Sequence, residues 1–329
     1  MGKILEINGP LVKLQLPQTV LGEQVRVGRI GLVGEVIGRD GDTALAQLYE
    51  DTAGLRPGEV AEGLGWPLSV ELGPGLLGAI FDGVQRPLQA VWEQSGDRIA
   101  RGVAVPSLPR DTRWHFVPEP SRHAGSALAG GDVLGTVQET ASILHRVLAP
   151  PLLQGELLEL APEGDYTVDE TIGRVRLADG RIDKLQLFHR WPVRTPRPFR
   201  RRDHAVAPLI TGQRILDTFY PLLKGGKAAI PGPFGAGKTM LQQQIARWCN
   251  AEIVIYVGCG ERGNELTDVL EFMPELKDPH TGRPLMERTL LVANTSNMPV
   301  VAREASIYVG ITLAEYFRDQ GYDVVMVAD

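Results

Sequence analysis

The chain has 329 residues, of which 43% are hydrophobic, enough for two or three domains with buried cores. Its 40 acidic and 34 basic residues give a net charge of -6, which supplies no overall field to attract nucleic acid or an anionic membrane. Two cysteines, Cys249 and Cys259, are too few for a disulfide framework and fit a reducing compartment, and no apolar run reaches the ~18 residues of a membrane-spanning helix.

Residues 1–70 are predicted to form a small closed β-barrel. In "LVKLQL" the apolar Val12, Leu14 and Leu16 alternate with polar residues, which is the pattern of a half-buried strand. The stretch "GEVIGRDGDTALAQLYE" contains two further runs joined around Asp40–Gly41, a dipeptide typical of a hairpin turn. Several short strands of this kind favour a barrel.

Residues 71–108 are expected to connect the barrel to the main body, and residues 109–187 to form a β-rich insertion. The insertion consists of strand-length apolar runs separated by Gly, Pro and Asp, and it looks like the barrel-sandwich domains that carry biotin or lipoate. Such carriers need a lysine at a hairpin tip, and none occurs between Lys13 and Lys184, so a structural insertion is predicted instead. Three histidines without metal-ligand spacing are interpreted as surface or packing residues: His115, His123 and His145.

The segment "RWPVRTPRPFRRRD" carries six arginines between Arg190 and Arg202, together with three prolines. It is either a nucleic-acid patch or an extended, proline-stiffened linker with a solvated run of charge. The linker is favoured, because the chain is acidic overall and few aromatic residues are interleaved for base stacking.

From Gly212 onward the chain is predicted to alternate strands and helices in a parallel sheet. The strands are nearly continuous apolar runs, as expected for burial on both faces: "KAAI", "EIVIYVGCG", "RTLLVANTS" and "YDVVMVAD". In the helix before the last strand, four residues recur at helical spacing and predict its core-facing stripe: Ile307, Ile311, Ala314 and Phe317. Ligands of such sheets bind beyond the carboxyl ends of the strands.

A phosphate-binding loop is predicted between the first strand and the first helix of this sheet. "GPFGAGKT", residues 232–239, fits G-x-x-x-x-G-K-[ST], in which backbone N–H groups and a helix N-terminus surround phosphate oxygens. Lys238 is expected to reach the β- and γ-phosphates, and the Thr239 hydroxyl to bind Mg²⁺. The residues expected to hold the nucleotide are Gly232, Pro233, Phe234, Gly235, Ala236, Gly237, Lys238, Thr239 and Met240.

Two acidic residues follow strands at the same predicted edge of the sheet. Glu261 is placed to orient an attacking water, and its alternative role is an ion pair with Arg262 or a helix cap. Arg262 either clamps phosphate or fixes Glu261, and the sequence leaves both open. Asp329 ends "VVMVAD" in the manner of the acid that holds Mg²⁺ in phosphate-loop NTPases.

These motifs, with "VGCGERGNE", "NTSNMPVVAREASIYVGITLAEYFRDQGYDV" and "ELGPGLLGAIFDGVQRPL", resemble the catalytic A subunit of the vacuolar (V-type) and archaeal-type (A-type) rotary ATPases over the whole chain. The resemblance implies a P-loop NTPase α/β domain with a RecA-like parallel sheet at 188–329, preceded by the β-barrel and the β-rich insertion. It assigns the family's roles to Lys238, Thr239, Glu261 and Asp329, with ATP or ADP as substrate and Mg²⁺ as cofactor.

The same resemblance implies a hexamer that alternates this chain with a non-catalytic B subunit, in contact with central and peripheral stalks. Such a complex lies peripherally on the cytoplasmic side of a membrane and couples ATP hydrolysis or synthesis to H⁺ or Na⁺ transport. Because Ala236 stands where eukaryotic members carry a cysteine, a bacterial or archaeal-type enzyme is the expected relative.

The family's chain continues past the acidic strand end, so residues 1–329 are expected to be truncated after the Walker B aspartate, Asp329, and the nucleotide-binding domain to be incomplete. Two alternatives remain. A related hexameric motor, such as a secretion ATPase or a helicase, is disfavoured by the insertion and by the negative charge. A non-catalytic nucleotide-binding or assembly protein is disfavoured by the intact phosphate loop together with Glu261.

Overall fold

The computed structural model describes residues 2–96, 99–201, 204, 206–233 and 235–329. Its N-terminal part consists of six strands: β1 (Gly2–Asn8), β2 (Leu11–Gln15), β3 (Glu23–Val27), β4 (Leu32–Asp40), β5 (Thr43–Leu48) and β6 (Val60–Pro67). These strands pair antiparallel in the order β1-β2-β5-β4-β3-β6, and β6 closes the ring by pairing with β1.

The structure confirms the predicted barrel and its hairpin. Val12 and Leu14 on β2 are completely buried, and Leu16 just beyond the strand is buried as well, so the alternating residues line the barrel core. Strands β4 and β5 form the hairpin predicted around Asp40–Gly41, with Asp40 paired to Thr43 across a two-residue turn.

A connecting segment and the β-rich insertion follow the barrel. Their elements are β7 (Ser69–Leu72), β8 (Ile80–Phe81), α1 (Leu88–Ser95), β9 (Trp114–Pro118), β10 (Ala127–Ala129), β11 (Val133–Gln138), β12 (Leu144–Leu148), β13 (Gln154–Leu160), β14 (Gly164–Tyr166), β15 (Gly173–Leu177), β16 (Ile182–Leu185) and β17 (His189–Pro192). The insertion has two antiparallel sheets, β10-β13-β15-β16 and β12-β11-β9-β14, which share one buried core. Strand β17 leaves it by pairing with β7.

The remaining elements form the C-terminal body. They are β18 (Pro208–Leu209), α2 (Arg214–Phe219), β19 (Leu222–Leu223), α3 (Lys238–Trp248), β20 (Ile253–Glu261), α4 (Gly263–Glu275), a 3₁₀ helix (Leu285–Arg288), β21 (Thr289–Thr295), α5 (Val300–Asp319) and β22 (Val324–Ala328). The main sheet is parallel in the order β22-β20-β21-β8, so its last strand comes from the connecting segment. Helix α5 covers one face, and α3 and α4 cover the other.

The predicted strand "KAAI" is wrong. Residues 227–230 form no strand, and they pair with no strand in the described part of the chain. Lys227, Ala228 and Ala229 are exposed. An apolar run favours burial, but a strand also needs a neighbour that bonds its backbone, and the sheet in this chain ends at β22.

The predicted stripe of α5 is only half right. Ala314 and Phe317 are buried, whereas Ile307 and Ile311 are 42% and 43% exposed. The buried face continues instead through other small and branched residues: Val301, Ala302, Ala305, Val309 and Leu313. Because apolar residues occur around most of this helix, their spacing alone does not identify the buried face.

The interpretation of the arginine-rich segment as a solvated charge run is wrong for its first half. Arg197 is 2% exposed, and its Nη1 donates to His189 Nε2 at 3.1 Å. Three arginines form ion pairs with carboxylates from distant parts of the chain: Arg190 Nη2 with Glu71 Oε1 at 2.9 Å, Arg194 Nη2 with Glu35 Oε1 at 2.7 Å, and Arg197 Nε with Asp319 Oδ2 at 2.7 Å. These arginines therefore tie the segment to the barrel, to β7 and to α5.

A buried hydrogen-bond network joins the insertion to α5. Oε1 of Glu139 accepts three backbone N–H groups, those of Gly75, Leu76 and Leu77, at 2.8, 2.8 and 3.0 Å. Oε2 lies 2.6 Å from His145 Nδ1, and His145 Nε2 lies 2.7 Å from the Tyr316 hydroxyl on α5. Burial acts to raise the pKa of Glu139, but His145 and the backbone donors outweigh it and hold that pKa below its usual value. His145 is thus a packing residue.

Candidate functional site

A cavity of about 490 Å³ opens at the carboxyl ends of β20 and β22. One side is formed by the loop before α3 and by its first turn: Gly235, Ala236, Gly237, Lys238, Thr239 and Met240. The other side is formed by residues that follow the two strands: Gly260, Glu261, Arg262, Glu265 and Asp329. The structure therefore brings together most of the residues that the sequence singles out. Phe234 lies outside the described residues.

The glycine loop delivers α3 with its N-terminus at this cavity. Gly235 and Gly237 have φ angles of +78° and +80°, a region that residues with side chains rarely adopt, and Gly237 is the last residue before α3. The Lys238 ammonium donates to the Gly232 and Pro233 carbonyls at 2.7 and 2.9 Å. These neutral acceptors bind an ammonium more weakly than charged phosphate oxygens do, so a polyphosphate can displace them.

Three carboxyl groups face the loop across the cavity. Glu261 ends β20, Glu265 lies in the first turn of α4, and Asp329 directly follows β22. Backbone bonds hold Asp329 beside β20, because Cys259 N–H donates to the Asp329 carbonyl and Asp329 N–H donates to the Val257 carbonyl, at 2.7 and 2.9 Å. The parallel ladder between β20 and β22 thus extends through Asp329.

Glu261 is the most perturbed of these acids. Glu261 is only 9% exposed, and this burial raises the pKa of its carboxyl group to about 7. The negative charge of Asp329 and the neighbouring Glu265 add to the effect. Near neutral pH the carboxyl therefore exchanges its proton readily, a property that general bases share.

The residues present fit a Mg²⁺ ion. Oδ2 of Asp329 is buried and has no hydrogen-bond partner among the described residues, and the Thr239 hydroxyl lines the same cavity. No cluster of three or more His, Cys, Asp or Glu in the described ranges could hold a metal by itself. That is the usual situation for Mg²⁺ at a nucleotide, since it takes one or two protein oxygens and completes its shell with water and phosphate.

Two residues of the cavity are absent from the sequence-based prediction. Glu265 follows Glu261 by four residues and lies in the first turn of α4. The sequence could have indicated it, since acidic residues favour the N-terminus of a helix. Gly260 has a φ of +113°, and a Cβ added there would lie 2.8 Å from Arg303 Cδ. Only the folded structure reveals that second constraint, because Arg303 belongs to α5.

Comparison with known proteins shows three matches along the chain. Residues 4–65 match the β-barrel domain of the ATP synthase alpha/beta family, residues 105–194 its barrel-sandwich domain, and residues 212–329 its nucleotide-binding domain. The chain belongs to the ATP synthase alpha/beta family.

Relatives within this family align with the chain over its whole length. It is 68% identical to the V-type ATP synthase alpha chain of Nitrosococcus oceani and 59% identical to the A subunit of the A-type ATP synthase of Thermococcus kodakarensis. Each alignment covers 100% of this chain and 56% of the relative, so the chain spans little more than half their length. The predicted resemblance to V-type and A-type A subunits is confirmed.

A solved structure of the assembled type III secretion ATPase EscN from enteropathogenic E. coli has a TM-score of 0.61 and 22% identity, over 100% of this chain and 56% of EscN. At 22% identity, this likeness is evidence for a shared fold and for nothing further. Among the described residues, none of the helices combines the length and apolarity needed to cross a bilayer.

Proposed function

We propose that the chain provides the catalytic nucleotide site of a V-type or A-type rotary ATPase, in which ATP hydrolysis or synthesis is coupled to H⁺ or Na⁺ transport. The observation that carries the proposal is the meeting of residues 235–239 of the predicted phosphate loop with Glu261 and Asp329 around one cavity. The 68% identity to a V-type ATP synthase alpha chain supports it.

In this proposal the phosphate loop binds the nucleotide phosphates, and the carboxylates hold Mg²⁺ and orient the attacking water. Backbone N–H groups of residues 235–239 and the N-terminus of α3 hold the phosphates, and Lys238 leaves its loop carbonyls to reach the β- and γ-phosphates. We also assign Phe234 and Met240 to the nucleotide-binding residues, and Met240 lines the cavity. Thr239 and Asp329 would hold Mg²⁺, which neutralises phosphate charge when bound.

Glu261 acts on the attacking water. As a carboxylate it accepts a hydrogen bond from that water and orients it in line with the γ-phosphate, and its raised pKa suits it to exchange a proton near pH 7. Arg262 follows Glu261 at the cavity wall, where its guanidinium stabilises the transferring phosphoryl group.

The family context supports a wider assembly. We propose a hexamer in which copies of this chain alternate with B-type subunits. The hexamer contacts central and peripheral stalks, and the complex is held peripherally on the cytoplasmic side of a membrane. The corresponding division of the chain is a barrel at 1–70, a connection at 71–108, an insertion at 109–187 and the nucleotide-binding part at 188–329.

The test is steady-state ATP hydrolysis by the complete gene product reconstituted with its B-type partner, with Glu261→Gln compared with wild type. Turnover should fall by a factor on the order of 10² or more while nucleotide binding survives, because only water activation is lost. Glu271→Gln, an exposed change on the adjacent helix α4, is the matched control and should leave turnover unchanged. Near-normal turnover of Glu261→Gln would contradict the proposed catalytic role.

A further inference from the structure

Tyr256 in the middle of β20 has a hydroxyl group that the fold does not use. The residue is 1% exposed, and it belongs to the apolar core that α3 and α4 form on this face of the sheet, a core that includes Ile245 and Met273. Its buried hydroxyl has no hydrogen-bond partner among the described residues. An unpaired buried hydroxyl destabilises the fold, so a core that needed only an aromatic ring would be better served by phenylalanine.

A second unpaired polar atom lies on the same face of the neighbouring strand. Tyr256 pairs with Val327 across the parallel ladder, so the next position on that face brings Gly258 opposite Asp329. Oδ2 of Asp329 is also buried, and it too lacks a partner within the described ranges. A buried donor and a buried acceptor thus lie diagonally across two adjacent strands, with no side chain on the glycine between them.

The surroundings of this pair keep it enclosed. A Cβ on Gly258 would lie 3.2 Å from Glu261 Cγ and 3.3 Å from Leu266 Cδ1, so these two side chains cover the space above the glycine. Burial, and then the negative charges of Asp329 and Glu261, raise the pKa of the Tyr256 hydroxyl. This shift favours the protonated hydroxyl, which is the form that can donate a hydrogen bond.

We propose that Tyr256 is a positioning residue of the nucleotide site: its hydroxyl donates a hydrogen bond to the Asp329 carboxylate, directly or through one water, when a magnesium nucleotide binds. The inference rests on the proposed function. Carboxylates that hold a metal are themselves usually hydrogen-bonded, and losing such a supporting bond typically weakens metal affinity 10- to 100-fold. Tyr256 is the side chain on β20 that shares a face with Asp329 and carries an unused donor.

The experiment compares Tyr256→Phe with wild type in the complete gene product bound to its B-type partner. ADP binding is titrated calorimetrically at a series of Mg²⁺ concentrations and again in EDTA. The Mg²⁺ concentration for half-maximal enhancement of binding should rise about tenfold in Tyr256→Phe. Binding in EDTA should stay unchanged, and the unliganded thermal midpoint should not fall, because the ring and its packing are kept.

Two further variants separate positioning from packing. Tyr166→Phe removes an exposed hydroxyl that donates to the Pro162 carbonyl in the insertion, and it should leave the Mg²⁺ dependence unchanged. In an Asp329→Asn background, Tyr256→Phe should have little additional effect, because both changes remove the same interaction.

Three results would overturn the inference. These are an unchanged Mg²⁺ dependence in Tyr256→Phe, an equal loss of binding with and without Mg²⁺, and full additivity with Asp329→Asn. Failure of the proposed function looks different, because wild type would then bind no ADP at any Mg²⁺ concentration.

Discussion

Two polar clusters, one around the Glu139 carboxylate and one around the carboxylates of Glu261 and Asp329, lie at opposite ends of the unit formed by α5 and β22, and they differ in how far their hydrogen bonds are satisfied. Near the end of α5, Glu139 satisfies both of its oxygens with three backbone N–H groups and His145. Beyond the end of β22, Asp329 leaves Oδ2 without a partner in the described structure, and Glu261 has a raised pKa. A carboxylate whose oxygens all accept hydrogen bonds within the protein stabilises the fold, whereas one with an unpaired oxygen is available to a ligand.

The largest change in the free energy of unfolding is expected from disrupting the cluster around Glu139. Glu139→Ala leaves His145 and the backbone N–H groups of residues 75–77 buried without their acceptor. Losing one partner of a buried charged network typically costs about 3–5 kcal/mol in the free energy of unfolding. Urea denaturation at pH 7, followed by circular dichroism, measures it. A loss below about 1 kcal/mol would show that the network contributes little to stability.

At the cluster around Glu261 and Asp329, removing a carboxylate is expected to increase the free energy of unfolding. Glu265→Gln removes a negative charge that raises the pKa of Glu261, so it should increase the free energy of unfolding by about 1 kcal/mol at pH 8. The folded pKa of Glu261 lies above its unfolded value, so its contribution to stability is present in acid and is lost as the pH rises through about 7. The gain should therefore disappear near pH 4. Urea denaturation at both pH values checks it, and a loss of stability at pH 8 would contradict it.

The smallest change in the free energy of unfolding is expected at an exposed ion pair, with which the changes at the two buried clusters can be compared. Arg176 and Glu156 lie opposite each other on β15 and β13, with Arg176 Nη1 3.2 Å from Glu156 Oε2 and both side chains about half exposed. Solvent screens such a pair, so Arg176→Ala should change the free energy of unfolding by at most about 0.5 kcal/mol. A larger change in the same urea assay would mean that exposed pairs also support this insertion.

The parts of the fold that the sequence predicts are those encoded by local patterns. The alternation of Val12 and Leu14 and the turn after Asp40 each depend on a few neighbouring residues, and the structure places them accordingly. The meeting of Glu261 with Asp329 is also predictable, since both end strands of one parallel sheet.

What the sequence does not predict depends on partners that are distant along the chain. Local composition predicts a solvated charge at Arg197, because its partner, Asp319, lies more than a hundred residues away. His145 is predicted only as a packing or surface residue, because Tyr316 is similarly remote. Tyr256 looks like one more apolar residue of a buried strand, and its unpaired hydroxyl becomes visible only when the neighbouring strand is in place.

Strand β8 also fixes an order of events during synthesis. Ile80 and Phe81 pair with Leu291 and Val292, so this edge of the main sheet cannot form until the ribosome has added roughly two hundred further residues. At about 5–20 residues per second, that interval is on the order of 10 to 40 s. The barrel, whose six strands lie within residues 2–67, is complete long before then. Each new chain therefore carries a finished barrel and an unpaired β8 throughout that interval.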